Sequence, residues 1–127
     1  YHKHSWYLIR NCELLGYSLS EKNLIAAIAR YHRKTLPKKR HESWQILISK
    51  EDKEIALDMA LILRLASSLD KRPTPEILKV NLKISDNQIL FKLITANSNN
   101  PPLLEKWSLR SCSQILKEIK GLELKVI

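Results

Sequence analysis

The spacing of apolar and polar positions divides the chain into a helical first part and a second part that opens with strands. Over residues 4–12, Trp6, Tyr7, Leu8 and Ile9 supply the apolar surface of a short helix, and Gly16 closes that region. Ser18 and Glu21 form an S-x-x-E capping box, in which each side chain accepts from a backbone N–H that the helix leaves unpaired. Leu24, Ile25, Ile28, Ala29 and His32 follow at helical spacing, predicting a helix over about 19–34; Pro37 then biases Leu36 away from helical geometry. Glu42 to Ile48 offers one or two helical turns anchored by Trp44, Leu47 and Ile48. Ser49 is placed to cap the next helix, whose first turn gains from Glu51 and Asp52 at the positive end of its dipole. In that helix Ile55, Met59, Ile62, Leu63, Ala66 and Leu69 recur at steps of three and four.

Beyond the linker-like Lys71-Arg72-Pro73-Thr74-Pro75 the period shortens to two. Val80, Leu82 and Ile84 alternate with Asn81, Lys83 and Ser85, the pattern of a half-buried strand. Asp86-Asn87 signals a tight turn, and Ile89, Phe91 and Leu93 give the inward row of a second strand. After the polar loop Asn97 to Pro102, one helix is predicted from about Leu103 to Lys120. Its apolar face carries Leu104, Trp107, Cys112, Ile115, Leu116 and Ile119, and Gly121 suits the position just past its end. Leu122, Leu124 and Val126 alternate into a third strand. The fold class is therefore α+β: an all-α domain over 1–72 and a small β-β-α-β domain over 76–127. Trp6, Trp44 and Trp107 are expected in the core.

Charge adds the first functional hint. The 127 residues carry a formal net charge of +9. Residues 1–75 contribute +6 and residues 76–127 the remaining +3. The excess peaks at Arg30, Arg33, Lys34, Lys38, Lys39 and Arg40, six cations with His32 among them and no acid. Such a density repels itself unless it is solvated or faces an anion, so the stretch is either a solvated helix end or a polyanion-binding surface. Cys12 and Cys112 are far apart and form no CxxC pattern, which argues against a disulfide framework or a structural zinc site and suits a reducing cytoplasm. No apolar run approaches the roughly 18 residues of a membrane span, and no signal peptide is expected. The opening Tyr1-His2-Lys3-His4-Ser5-Trp6, without an initiator Met, reads as the interior of a longer polypeptide.

Candidate catalytic chemistry is sparse. Only Gly16 and Gly121 are present, so no glycine-rich phosphate cradle can form, and neither a G-x-x-x-x-G-K-[ST] loop nor a G-x-S-x-G elbow occurs. His4 and His32, on adjacent helices, are weak candidates for a metal pair. Without them His32 reads as a local hydrogen-bonder or phosphate contact, and His41 as loop. Glu51, Asp52 and Glu54 read as a favourable helix start.

Several blocks are similar to one family in order and spacing. Tyr1-His2-Lys3-His4-Ser5-Trp6-Tyr7-Leu8-Ile9-Arg10-Asn11 resembles hHKHSyYLIRN, and Leu15-Gly16-Tyr17-Ser18 resembles LxGFS. Ile25 to Lys34 with Leu36-Pro37 resembles IAxIARYHRKxLP, and Ala60 to Ala66 with Leu69-Asp70 resembles AxxLRLAdxLDR. These are motifs of the C-terminal region of the exopolyphosphatase/guanosine pentaphosphate phosphohydrolase family. The match is specific over 1 to about 72 and looser beyond, where Leu104-Glu105-Lys106-Trp107 carries it.

The resemblance implies an HD-like helical domain, N-terminally truncated, that lacks the catalytic half with its phosphate-binding loops, its carboxylate and its Mg²⁺. His4 and His32 fall on motif histidines of the HD superfamily. The His-Asp pair expected before Tyr1 is missing, and Ser67 stands where the motif has Asp, so the expectation is no catalytic residue, no metal site and no cofactor in this chain. Arg30, His32, Arg33, Lys34, Lys38, Lys39 and Arg40 are then expected to bind inorganic polyphosphate, a substrate that needs a positive track to stay bound between cuts. The expected partners are polyphosphate, the N-terminal catalytic domains and a second copy, with no membrane. The alternatives are a self-standing HD-type metal-dependent nucleotide phosphohydrolase and a nucleic-acid-binding module.

Overall fold

The computed structural model describes residues 2–33, 36–73, 76–97 and 99–127, and for His2 the backbone alone. The fold is mixed α+β, and the chain divides into two compact units, residues 1–64 and 65–127.

In the first unit α1 (His2–Asn11) packs on α2 (Leu19–Tyr31), followed by the single turn α3 (Glu42–Gln45) and the long α4 (Lys50–Leu69), whose residues 65–69 fall in the second unit. The capping box forms as the sequence predicts. Glu21 N donates to Ser18 Oγ at 3.2 Å and Ser18 N donates to Glu21 Oε1 at 2.9 Å. That bond holds the Glu21 carboxyl below its usual range. Helix α2 ends at Tyr31, three residues before the predicted limit, with His32 as its C-cap; Lys34 lies outside the described residues. Ser49 caps α4 as expected, its Oγ accepting from Asp52 N at 3.0 Å.

The core of this unit is built from small residues. Ala27, Tyr31, Leu47, Ala56 and Ala60 form a buried cluster, with Leu24, Ile28 and Trp44 packed against it. Alanines let helix backbones approach closely, so the deepest positions are not the largest ones. On α4 the buried residues are Ala56, Ala60, Leu61, Arg64 and Ser68. Much of the stripe that announced this helix, Ile55, Met59, Ile62 and Leu63, is exposed within the chain.

In the second unit β1 (Ile77–Ser85) pairs antiparallel with β2 (Gln88–Thr95) across the two-residue turn Asp86-Asn87, placing Ile84 opposite Ile89 and Leu82 opposite Phe91. Strand β3 (Glu123–Val126) pairs parallel with the other side of β2, giving the order β1-β2-β3. A parallel neighbour needs a crossover, and here it is two helices, α5 (Leu103–Arg110) and α6 (Ser113–Lys120), where the sequence predicts one. Serine hydroxyls account for the break. Ser111 Oγ donates to Ser108 O at 2.5 Å and Ser113 Oγ to Arg110 O at 2.6 Å, and Cys112 N turns to Leu109 O. Side chains that bond nearby backbone in this way compete with helix continuation. Gly121, at φ +66°, ends α6 in the left-handed region where a side chain would be strained. Ile89, Phe91, Leu109, Cys112 and Leu116 are buried. Trp107, expected in the core, is exposed, whereas Trp6 is buried and Trp44 half-buried. Among the described residues no helix is long and apolar enough to cross a membrane.

Candidate functional site: a basic surface around His41

The cations singled out from the sequence separate into two groups. Arg30, in the last turn of α2, turns inward. Its Nη1 donates to Ser43 Oγ at 2.9 Å, and its guanidinium lies 5.6 Å from the centre of the Tyr31 ring. His32 is half-buried, and its Nδ1–H donates to Ala29 O at 2.6 Å, the local hydrogen bond expected of a structural histidine. Arg33, Lys38, Lys39 and Arg40 are exposed, and no ion pair holds them among the described residues.

The loop that carries three of those exposed cations is fixed by its backbone. His41 N donates to Lys38 O at 2.9 Å, and Gln45 Nε2 reaches back to Lys39 O at 2.8 Å.

A network that periodicity did not reveal joins the end of α2 to the residues just after this loop. Tyr31 Oη shares a 2.7 Å hydrogen bond with the fully buried Ser43 Oγ and a 2.9 Å bond with His41 Nδ1. The Tyr31 and His41 rings stack, 5.8 Å apart at 14°, and Trp44 meets Tyr31 edge-on. Burial raises the Tyr31 hydroxyl above its ordinary range, against the opposing pull of the Ser43 bond and Arg30, so it stays a phenol with a proton to give. Burial first, then Arg30, Arg40, Lys38 and Lys3, lower the His41 pKa below the ordinary imidazole range. Four cations from α1, α2 and the loop thus act on one neutral ring. Tyr31, Ser43 and His41 were not among the predicted site residues: 10 and 12 positions separate Tyr31 from its partners, and only the folded loop joins them.

His4 is exposed beside Lys3 and Tyr7 in an open groove on α1. Among the described residues no group of three or more His, Cys, Asp or Glu is arranged to hold a metal ion. Ser67, at the position of the motif Asp, is half-buried on α4.

The family model described as Ppx/GppA phosphatase, domain III, matches residues 1–120. A curated relative, the guanosine-5'-triphosphate,3'-diphosphate pyrophosphatase of Pseudoalteromonas translucida (strain TAC 125), is 50% identical over 38 residues. The aligned segment covers 30% of this chain and 8% of that protein.

Proposed function

The chain belongs to the Ppx/GppA phosphatase family, in its domain III, and from that premise we propose that it grips a phosphate polyanion for a phosphoanhydride hydrolase whose cutting groups lie in other domains. The observation that carries this reading is the set of exposed cations Arg33, Lys38, Lys39 and Arg40, unpaired among the described residues, three of them on a loop tied down through its own backbone. Solvated cations on an anchored loop suit a chain that must stay bound yet slide, because each meets phosphate oxygens without demanding one geometry.

In this reading the whole enzyme removes terminal phosphates from inorganic polyphosphate or from guanosine pentaphosphate, with Mg²⁺ bound in the N-terminal half. The curated relative's name favours the guanosine substrate for at least one branch of the family. The helical unit corresponds to the HD-like domain, the chain has no catalytic residue of its own, and its partners are polyphosphate, the catalytic domains and a second copy, in the cytoplasm. Binding of fluorescently end-labelled polyphosphate at low salt tests the reading. Micromolar or tighter binding that unlabelled polyphosphate displaces supports it, and no binding at any salt concentration sinks it.

A further inference from the structure

We infer that His41 is the fixed donor of a subsite for a single phosphate group on this surface. The inference rests on the polyanion reading above and adds to it a specific atom. Arg30 can only donate, so Ser43 Oγ accepts from Arg30 Nη1. Ser43 is fully buried, and its own proton finds an acceptor in Tyr31 Oη, 2.7 Å away. With that proton accepted, Tyr31 Oη is free to send its own to His41 Nδ1, 2.9 Å away. Arg30 sets the direction of the first link, and we take the other two to follow it, which places the imidazole proton on Nε2.

That Nε2–H has no partner among the described residues, on a ring that is only half-buried. The ring cannot swing freely, because it is stacked on Tyr31 and bonded through Nδ1. The charged groups acting on it, Lys3 from α1, Arg30 from α2, and Lys38 and Arg40 from the loop, are all cations; Glu42, next in sequence, is engaged by Arg10 at 2.9 Å. A fixed donor whose acting charges are all positive fits an oxyanion. Phosphate oxygens meet that need, whether they come from a polyphosphate chain or from a nucleotide. Lysines supply charge from mobile stems, and His41 supplies a position.

Ring ¹⁵N–¹H correlation spectra of the unaltered chain test this directly. In the free protein His41 is expected as the Nε2–H tautomer. Sodium tripolyphosphate should shift its ring signals in a saturable way, and GTP should do the same at matched charge. A His41 in the Nδ1–H tautomer, or one that GTP perturbs while tripolyphosphate does not, overturns the inference. In a parallel titration at pH 7.5, His41→Ala should weaken tripolyphosphate binding by about tenfold, as expected for a lost hydrogen bond to a charged acceptor. Its salt slope should be unchanged, because no charge is removed. Unchanged affinity in His41→Ala, alongside a loss in the triple variant Lys38→Ala/Lys39→Ala/Arg40→Ala, defeats the subsite and leaves the surface standing. Unchanged affinity in both defeats both.

Discussion

Arg64 of α4 closes the end of α2 through the carbonyls of Tyr31 and His32: its Nη2 donates to Tyr31 O and its Nε to His32 O, both at 3.1 Å. The last carbonyls of a helix have no partner within it. A buried guanidinium fixed on a neighbouring helix satisfies two of them and holds Tyr31, the centre of the candidate site, in place. Arg64→Met keeps most of the volume and removes both donors. It should destabilise the chain by about 2–3 kcal/mol, the usual range for buried hydrogen bonds to a charged group, as read by urea denaturation. A change below 0.5 kcal/mol, taken as roughly the scatter of surface substitutions, would show that the two carbonyls find other partners.

The capping box predicts a smaller effect with a pH signature. Ser18→Ala should cost about 1 kcal/mol of stability. Because the Ser18 backbone N–H lowers the folded Glu21 pKa, the carboxylate contributes stability that is fully present above its unfolded value, near 4.5, and is lost as pH falls through the folded value. Stability measured from pH 6 to 3 should therefore fall less steeply in Glu21→Gln than in the unaltered chain.

His41 sets a second pH dependence in a different window. Its folded pKa is lowered, so near and below the ordinary 6.5 the unfolded chain takes up a proton that the folded chain resists. This contribution to stability is complete above about pH 7 and declines as pH falls through 6.5 towards the folded value. His41→Ala should flatten the stability profile between pH 7 and 5. An equally steep profile in the variant would assign that slope to another group.

In the second unit Arg72 Nε lies 2.7 Å from Glu105 Oε1, and the Glu105 side chain is almost fully buried, its Oε2 without a hydrogen-bond partner among the described residues. Removing the arginine strands a buried charge, whereas neutralising the acid leaves Arg72 with access to water. Arg72→Ala should thus lower the melting temperature more than Glu105→Gln. The reverse order would contradict the assignment of Glu105 as the group that cannot do without its partner.

What the sequence disclosed follows from which residues carry periodic signals. Ser18, Glu21 and Ser49 announce helix starts by local chemistry, and all three act as read. The hairpin and the end of the last helix were legible because Asp86-Asn87 and Gly121 punctuate them. The buried side of α4 was not, since Ala56, Ala60, Arg64 and Ser68 make a stripe that hydrophobicity does not weigh, while the larger Ile55, Met59 and Ile62 sit outward. The break at Ser111-Cys112 depends on hydroxyls bonding backward, which apolar spacing cannot register. For the candidate site, the charge run pointed to Lys38, Lys39 and Arg40. It could not tell that Arg30 turns inward to Ser43, or that His41 lies under the influence of several cations.

The central claim is that the loop cations bind a phosphate chain, and the salt dependence of polyphosphate affinity tests it most directly. Each cation that meets a phosphate releases about 0.7–0.9 of a counterion. Lys38→Ala/Lys39→Ala/Arg40→Ala should therefore bind more weakly at low salt and reduce the slope of log affinity against log salt by roughly 2. An unaltered slope and affinity in that variant would show that these side chains are only solvated, and the account of this surface would be wrong.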